Sequence, residues 1–254
     1  MENQSDVFEQ FRRLGFRAHE PALRALLQQL TKSRASPMET CEKLVALEWR
    51  EREAKNLDRR TRLATLGNYK LLDAFDWNHP KVIDRALYEE LHGLDFVEKN
   101  ENALLRGSSG LGKTMLAQNL GLAALTKGKT VLFTSLAWAL ADLLKQESIP
   151  AFERRLRRYL LPDLLIIDEL GYVPCDSRSA DLLYNIISRR HEKRSTVITT
   201  NLAFKQWGTI FPGAACVVAL VDRFVQHCHV LDIEGESWRQ KQPVEKPARR
   251  RPKN

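Results

Sequence analysis

The stretch LLIIDELGYVP, Leu164 to Pro174, runs four aliphatic residues straight into two carboxylates, Asp168 and Glu169. Such an apolar run suits a strand buried on both faces, and adjacent acids at its end are costly unless they have a task. A second stretch supplies one. GSSGLGKT, Gly107 to Thr114, meets the spacing G-x-x-x-x-G-K-[ST] at every fixed position, after a short apolar strand and before a helix-compatible run. Glycines there let the backbone turn tightly, so that successive N–H groups converge on a phosphate chain at the positive end of a helix. The candidate phosphate site is therefore Gly107, Ser108, Ser109, Gly110, Leu111, Gly112, Lys113, Thr114 and Met115. Lys113 is expected to reach the β- and γ-phosphates of a nucleotide, and Thr114 to offer its hydroxyl to Mg²⁺. Asp168 would hold the same ion, and Glu169 would orient or deprotonate the attacking water. A glycine turn that only caps a helix, and acids that only end a strand, are the plainer alternatives. The two motifs together favour nucleotide chemistry.

These tips need a sheet to carry them. After Gly67, Ala103–Arg106, Thr130–Thr134, Leu164–Asp168, Thr196–Thr200 and Val230–Ile233 read as strands separated by helices. That alternation predicts an α/β fold with a five-stranded parallel sheet covered on both faces. If the strand TVLFTS lies outside the acidic strand, a slot opens between the acidic strand and the phosphate-loop strand. TVITTN would fill it and bring Asn201 beside the γ-phosphate, where an amide can both donate and accept. This is the order in which all the polar tips converge.

Before Gly67 the pattern is helical. Phe8, Phe11 and Leu14, then Leu23, Leu26, Leu27 and Leu30, recur at three- and four-residue spacing. A long helix starts at Ser36, an N-cap followed by Pro37 and completed as a capping box by Glu39. The expected organisation is a small all-helical N-terminal domain over 1–66, a nucleotide-binding domain over 67–240 and a basic, proline-rich tail over 241–254.

The formal charge of +8 favours an anionic partner. Two helices concentrate the cations: one with Arg50, Lys55, Arg59 and Arg60, the other with Arg154, Arg155, Arg157 and Arg158. Both could follow nucleic-acid phosphates without reading sequence, and Arg249 to Arg251 could add to them. The competing reading is a pair of solvated helices, since Glu48, Glu51, Glu53 and Asp58 interleave with the first set, while Leu156 and Leu160 point the second at a core. The four cysteines are scattered, as in a reduced intracellular protein. The start MENQSDVFEQ has no signal-peptide pattern, and apolar runs fall short of the ~20 residues of a membrane span, so a cytoplasmic protein is expected. The HCH run, His227 to His229, has no further ligand cluster near it in sequence and reads as ordinary strand and turn residues.

Taken together, LLIIDELGYVP, SRRHEKRSTVITTNLAFKQWG and VDRFVQHCHVLDIEGESWR resemble the AAA+ ATPases, and within them the IstB/DnaC-like group. They are most similar to the IstB-type ATP-binding helper proteins of insertion-sequence transposition, over about Gly67 to Arg239. The resemblance implies a trans-acting arginine finger at Arg223, with a surface pair to Asp222 as the simpler role, and a nucleotide-sensing arginine near Arg239. The chain ends soon after Arg239, so no C-terminal helical lid is expected. Ser108 and Ser109 depart from the family's commoner loop residues, and DRF and SWR from DRL and SYR, without touching a fixed position. The implied activity is hydrolysis of ATP with Mg²⁺ by a homo-oligomer that shares its ATP sites between subunits. It would assemble on duplex DNA and help a cognate transposase select its target, with hydrolysis as a disassembly switch. A DnaC-like replicative helicase loader is the alternative. A P-loop small-molecule kinase would need an acceptor pocket and lid, and the intact Asp168–Glu169 pair argues against a nucleotide binder without catalysis.

Overall fold

A computed structural model of the chain describes residues 7–172 and 176–238. The chain divides into two compact units, one ending at Arg62 and the other beginning at Leu63.

The first unit contains α1 (Val7–Arg13), α2 (Glu20–Lys32) and most of α3 (Pro37–Ala64). The start of α3 is the expected one: the Ser36 hydroxyl accepts from the Glu39 amide at 3.1 Å, and Pro37 is the first helical residue. Leu23, Leu30 and Leu47 form its small buried core. Glu48 is buried beside them and accepts hydrogen bonds from the backbone amides of Arg17 (2.7 Å) and Ala18 (3.0 Å) and from Arg52 (2.5 Å). One carboxylate on α3 thereby fixes the loop that joins α1 to α2. Farther along α3, Arg62 pairs with Asp58 at 2.5 Å and Lys55 donates to the Arg17 carbonyl, so part of its charge is used within the unit.

The second unit is built on a sheet of six strands in the order β1-β6-β2-β5-β4-β3. These are β1 (Val82–Ile83), β2 (Asn102–Gly107), β3 (Val131–Ser135), β4 (Leu164–Leu170), β5 (Ser195–Thr200) and β6 (Cys228–Glu234). The five strands read from the sequence are all parallel; the sixth, β1, is a two-residue antiparallel pairing on β6. Two residues are too few to show a hydrophobic period, which is why β1 was not foreseen. The helices are α4 (Arg85–Gly93), α5 (Asp95–Glu98), α6 (Lys113–Thr126), α7 (Leu136–Leu144), α8 (Ile149–Leu160), α9 (Ser177–Arg190), α10 (Trp207–Ile210) and α11 (Val217–Val225).

Strand alternation divides the core. Leu132, Leu165, Ile167 and Ile198 pack with residues of α7 to α11 in one cluster, whereas Val131 and Ile166 approach Gly121 of α6. Successive residues thus face opposite helical layers, and the central strands are apolar throughout because neither face meets water. At the lower end of the sheet Arg190 is fully buried and donates to the carbonyls of Tyr159, Leu160, Pro162 and Ser195 and to the Thr196 hydroxyl. Its guanidinium ties the end of α8 to the start of β5, and burial lowers its pKa to about 9. No helix among the described residues is long and apolar enough to cross a membrane.

Candidate nucleotide site

The turn from β2 into α6 carries the phosphate loop. Gly110 and Gly112 sit at φ +81° and +86°, a region costly for side-chain-bearing residues, and Gly112 also lies under the Phe75 ring. Lys113 is the first residue of α6 and is buried, its ammonium donating to the carbonyls of Gly107 (2.7 Å) and Ser108 (2.8 Å). The charge is therefore held at the mouth of the loop, level with the positive end of a 14-residue helix.

β5 occupies the slot between β2 and β4, as convergence of the polar tips required. Thr114 therefore faces Asp168 across the site, its hydroxyl donating to Oδ1 at 3.2 Å. Asp168 is 5% exposed at the end of a strand whose preceding residues are fully buried. A hydroxyl and a carboxylate converging in this way make an all-oxygen donor set, which fits a hard cation such as Mg²⁺.

The two acids do not continue a regular strand. Ile167 pairs with Ile198 and Leu170 with Thr200, so Asp168 and Glu169 together stand opposite the single residue Thr199. This is a β-bulge, and Glu169 occupies it with φ +64°. The Thr199 hydroxyl accepts from the Glu169 amide at 3.1 Å and donates to Asp168 Oδ1. Asp168 stays buried against Thr114, while Glu169 turns out to an exposed position bordering a hollow of about 410 Å³ between Ser135, Leu136 and Tyr172. Two neighbouring carboxylates thus differ in setting at the same end of the sheet, Asp168 buried against Thr114 and Glu169 exposed beside Ser135, the residue that pairs with Asp168.

Asn201 follows the end of β5, beside the site and exposed. Arg223, on the last turn of α11, does not pair with Asp222. It donates to the hydroxyls of Tyr184 (2.6 Å) and Ser188 on α9, with its guanidinium 5.0 Å from the Tyr184 ring centre. Arg239 and the basic tail lie outside the described residues.

The basic residues of the two candidate helices are not equivalent. Arg50 and Arg59 on α3, and Arg154 and Arg157 on α8, are exposed. Arg155 is bound in both directions by Asp142, at 2.6 and 2.7 Å, and Arg158 lies 4.9 Å over the ring of the half-exposed Trp138. Desolvation raises the Asp142 carboxyl, but hydrogen bonds from Arg155 and Tyr159 more than offset it and hold the group below the usual carboxylate range. The HCH run is likewise part of the fold: His229 contacts Glu101 at 2.7 Å, and burial pushes the Cys228 thiol up to about 12.

Sequence reading missed the aromatic wall around the loop. Besides Phe75 against Gly112, the His79 ring meets the edge of Trp238 at 4.6 Å and its Nε2 contacts the Glu236 carbonyl at 2.9 Å. The Trp238 amide donates to the Gly110 carbonyl at 3.1 Å, and Ser237 packs directly on Gly110. The segment after β6 therefore leans on the phosphate loop. Its signal was the cluster of Phe75, Trp77, His79 and Trp238, four aromatic or imidazole rings with no periodicity to assign them to a core face.

The family model described as IstB-like ATP binding protein matches residues 10–246. An ATP-binding protein of insertion sequence IS21 from Pseudomonas aeruginosa is 37% identical over 86% of this chain and 82% of its own length. The corresponding protein of insertion sequence IS232 from Bacillus thuringiensis is 35% identical, covering 80% of this chain and 81% of its own. Among solved structures, that of DnaI superposes with a TM-score of 0.53 at 18% identity, covering 68% of this chain and 90% of that one. A DNA replication initiation factor gives 0.51 at 18% identity, over 65% of this chain and 50% of that one.

Proposed function

The chain belongs to the family of IstB-like ATP binding proteins, and from that premise we propose that it is a Mg²⁺-dependent ATPase that assembles on duplex DNA and assists a transposase in choosing its target. The observation that carries the reading is the meeting of Thr114 and Asp168 at 3.2 Å beside a phosphate loop, with Glu169 left exposed next to them at the bulge.

Each residue then has a distinct task. The loop amides and Lys113 bind and orient the phosphate chain. Thr114 and Asp168 would hold Mg²⁺, which when bound neutralises charge on the phosphate oxygens. Glu169, exposed at the bulge, accepts the proton of the attacking water, and Asn201 helps position that water. Phe75 packs on Gly112, and the Trp238 segment, in edge contact with His79, holds the Gly110 carbonyl, so these rings brace the loop in its phosphate-binding shape.

Arg223, held against α9 by Tyr184 and Ser188, is our candidate finger for the site of an adjacent copy. A finger supplied by a neighbour stabilises charge on the γ-phosphate and makes hydrolysis conditional on assembly. Loss of the γ-phosphate removes what the finger binds, so hydrolysis loosens the assembly rather than driving a mechanical stroke. The exposed arginines of α3 and α8 follow the DNA backbone without reading its sequence.

The test is sedimentation of the full chain with duplex DNA and Mg²⁺, with ATP, with a slowly hydrolysed ATP analogue and with ADP. Large DNA-bound species with ATP and the analogue, dispersed with ADP, are expected, together with DNA-stimulated phosphate release to water. Equal assembly with ADP would contradict the switch.

A further inference from the structure

We propose that Thr199 is a positioning residue for hydrolysis: through one hydroxyl it fixes both the carboxylate of Asp168 and the turn at Glu169. The inference rests on the reading of Asp168 as the Mg²⁺ residue and Glu169 as the base.

Thr199 is 1% exposed and sits opposite both acids at the bulge. A threonine hydroxyl has one proton and two lone pairs. Here the proton goes to Asp168 Oδ1 and a lone pair receives the Glu169 amide, so each is used on one of the two acids. Asp168 Oδ1 also receives the Thr114 hydroxyl, which links β5 to the phosphate loop through a single oxygen.

The bulge needs such a clasp. A non-glycine residue at φ +64° is strained, and the extra residue breaks the ladder locally, so the Glu169 amide has no regular strand partner. Removing the hydroxyl leaves that amide and one lone pair of a buried carboxylate unsatisfied together. The cost falls on the orientation of the two groups that chemistry needs. Neighbouring Thr200 is as deeply buried, but its hydroxyl serves the Leu170 carbonyl (2.7 Å) and the Leu202 amide (3.1 Å) and touches neither acid. Burial alone therefore does not make a threonine on this strand part of the site.

Thr199→Val keeps the shape and removes the hydroxyl; Thr199→Ser keeps the hydroxyl and removes the methyl. Two measurements on the full chain are informative: affinity for Mn²⁺ in the presence of ADP, by electron paramagnetic resonance, and steady-state ATP turnover. Outer contacts to metal-holding groups typically carry about 10- to 100-fold in metal affinity or activity. Thr199→Val is expected to lose that much in both Mn²⁺ affinity and kcat, while metal-free ADP affinity and the KM for ATP stay within about 2-fold. Thr199→Ser is expected to return both toward the parent. A Val variant that matches the parent in both readouts overturns the proposal, as does a Ser variant that is as impaired as Val. If Val fails to fold, Thr199→Ala, which also lacks the hydroxyl, takes its place in both measurements, and a parent-like result there overturns the proposal in the same way. Asp168→Asn is the control: if it too binds Mn²⁺ like the parent, the assignment of Asp168 has failed, and the role of Thr199 with it.

Discussion

Arg155 closes both prongs of its guanidinium on Asp142, at 2.6 and 2.7 Å, while Tyr159 donates to the same carboxylate. The pair joins α7 to α8 and leaves Arg154 and Arg157, one turn face away, as the exposed cations of that helix. Reversing Arg154 and Arg157 to Glu should weaken duplex binding and lower the salt slope by about 2, since each lost phosphate contact carries about 0.9. A filter-binding titration across salt concentrations checks this. Arg155→Gln should instead act on the fold, costing about 1–2 kcal/mol once solvent screening is allowed for, because Asp142 loses its main partner. Unchanged unfolding in urea with lost DNA binding would reverse the two roles.

Arg223 offers a test of shared sites. Its guanidinium, projecting from α11, is held against α9 by Tyr184 and Ser188 within a single copy. Arg223→Ala should leave ATP binding intact and suppress turnover. Glu169→Gln should suppress turnover for a separate reason, within the site itself. Mixing the two inactive proteins should restore part of the activity, because a mixed assembly contains sites with a working base and a neighbour's finger. No recovery on mixing, with co-assembly shown by sedimentation, would place Arg223 outside the neighbour's site.

Lys113→Ala removes the ammonium from the mouth of the phosphate loop. It should abolish ATP binding in a fluorescent-nucleotide titration at concentrations that saturate the parent, without lowering the melting temperature of the nucleotide-free protein by more than a few degrees. Full binding by this variant would exclude the loop as the phosphate site.

Glu48 makes the first unit sensitive to acid. Desolvation raises its carboxyl, but bonds from Arg52 and the amides of Ala18 and Arg17 outweigh that and set it below the ordinary value of 4.5. A carboxyl depressed in the folded state binds protons more readily when unfolded. Its stabilisation is therefore complete above that ordinary value and lost as pH falls through the lower folded one. Glu48→Gln should cost about 1–2 kcal/mol at pH 7 and less at pH 3, below the ordinary carboxylate value. Urea unfolding followed by helical circular dichroism at both pH values gives the difference directly.

Much of this was legible because it depends on local pattern. The phosphate loop follows from glycine spacing, and the buried strands from aliphatic runs such as Leu164 to Ile167. The central place of β5 followed from asking which order brings Asp168, Asn201 and the loop together. What stayed hidden depends on partners distant in the chain. Nothing in DEL marks a bulge, because Glu169 is not a glycine and its positive φ is held by Thr199, some thirty residues away. Arg155 looked like its neighbours until Asp142 stood opposite it, and Arg223 was expected as a neighbour's finger or beside Asp222, with nothing in the sequence to mark its hold on Tyr184. The short β1 and the contact of Trp238 with the loop required the finished sheet.

The central claim is that the two acids at the end of β4 divide the work, Asp168 holding Mg²⁺ and Glu169 serving the water. The most direct measurement is single-turnover hydrolysis of ATP by Glu169→Gln with Mg²⁺ and duplex DNA, alongside equilibrium binding of Mg²⁺-ATP. The account predicts binding within about 3-fold of the parent, hydrolysis slowed by about 100-fold or more, and assemblies that persist on DNA. Hydrolysis at the parental rate, with binding intact, would contradict it.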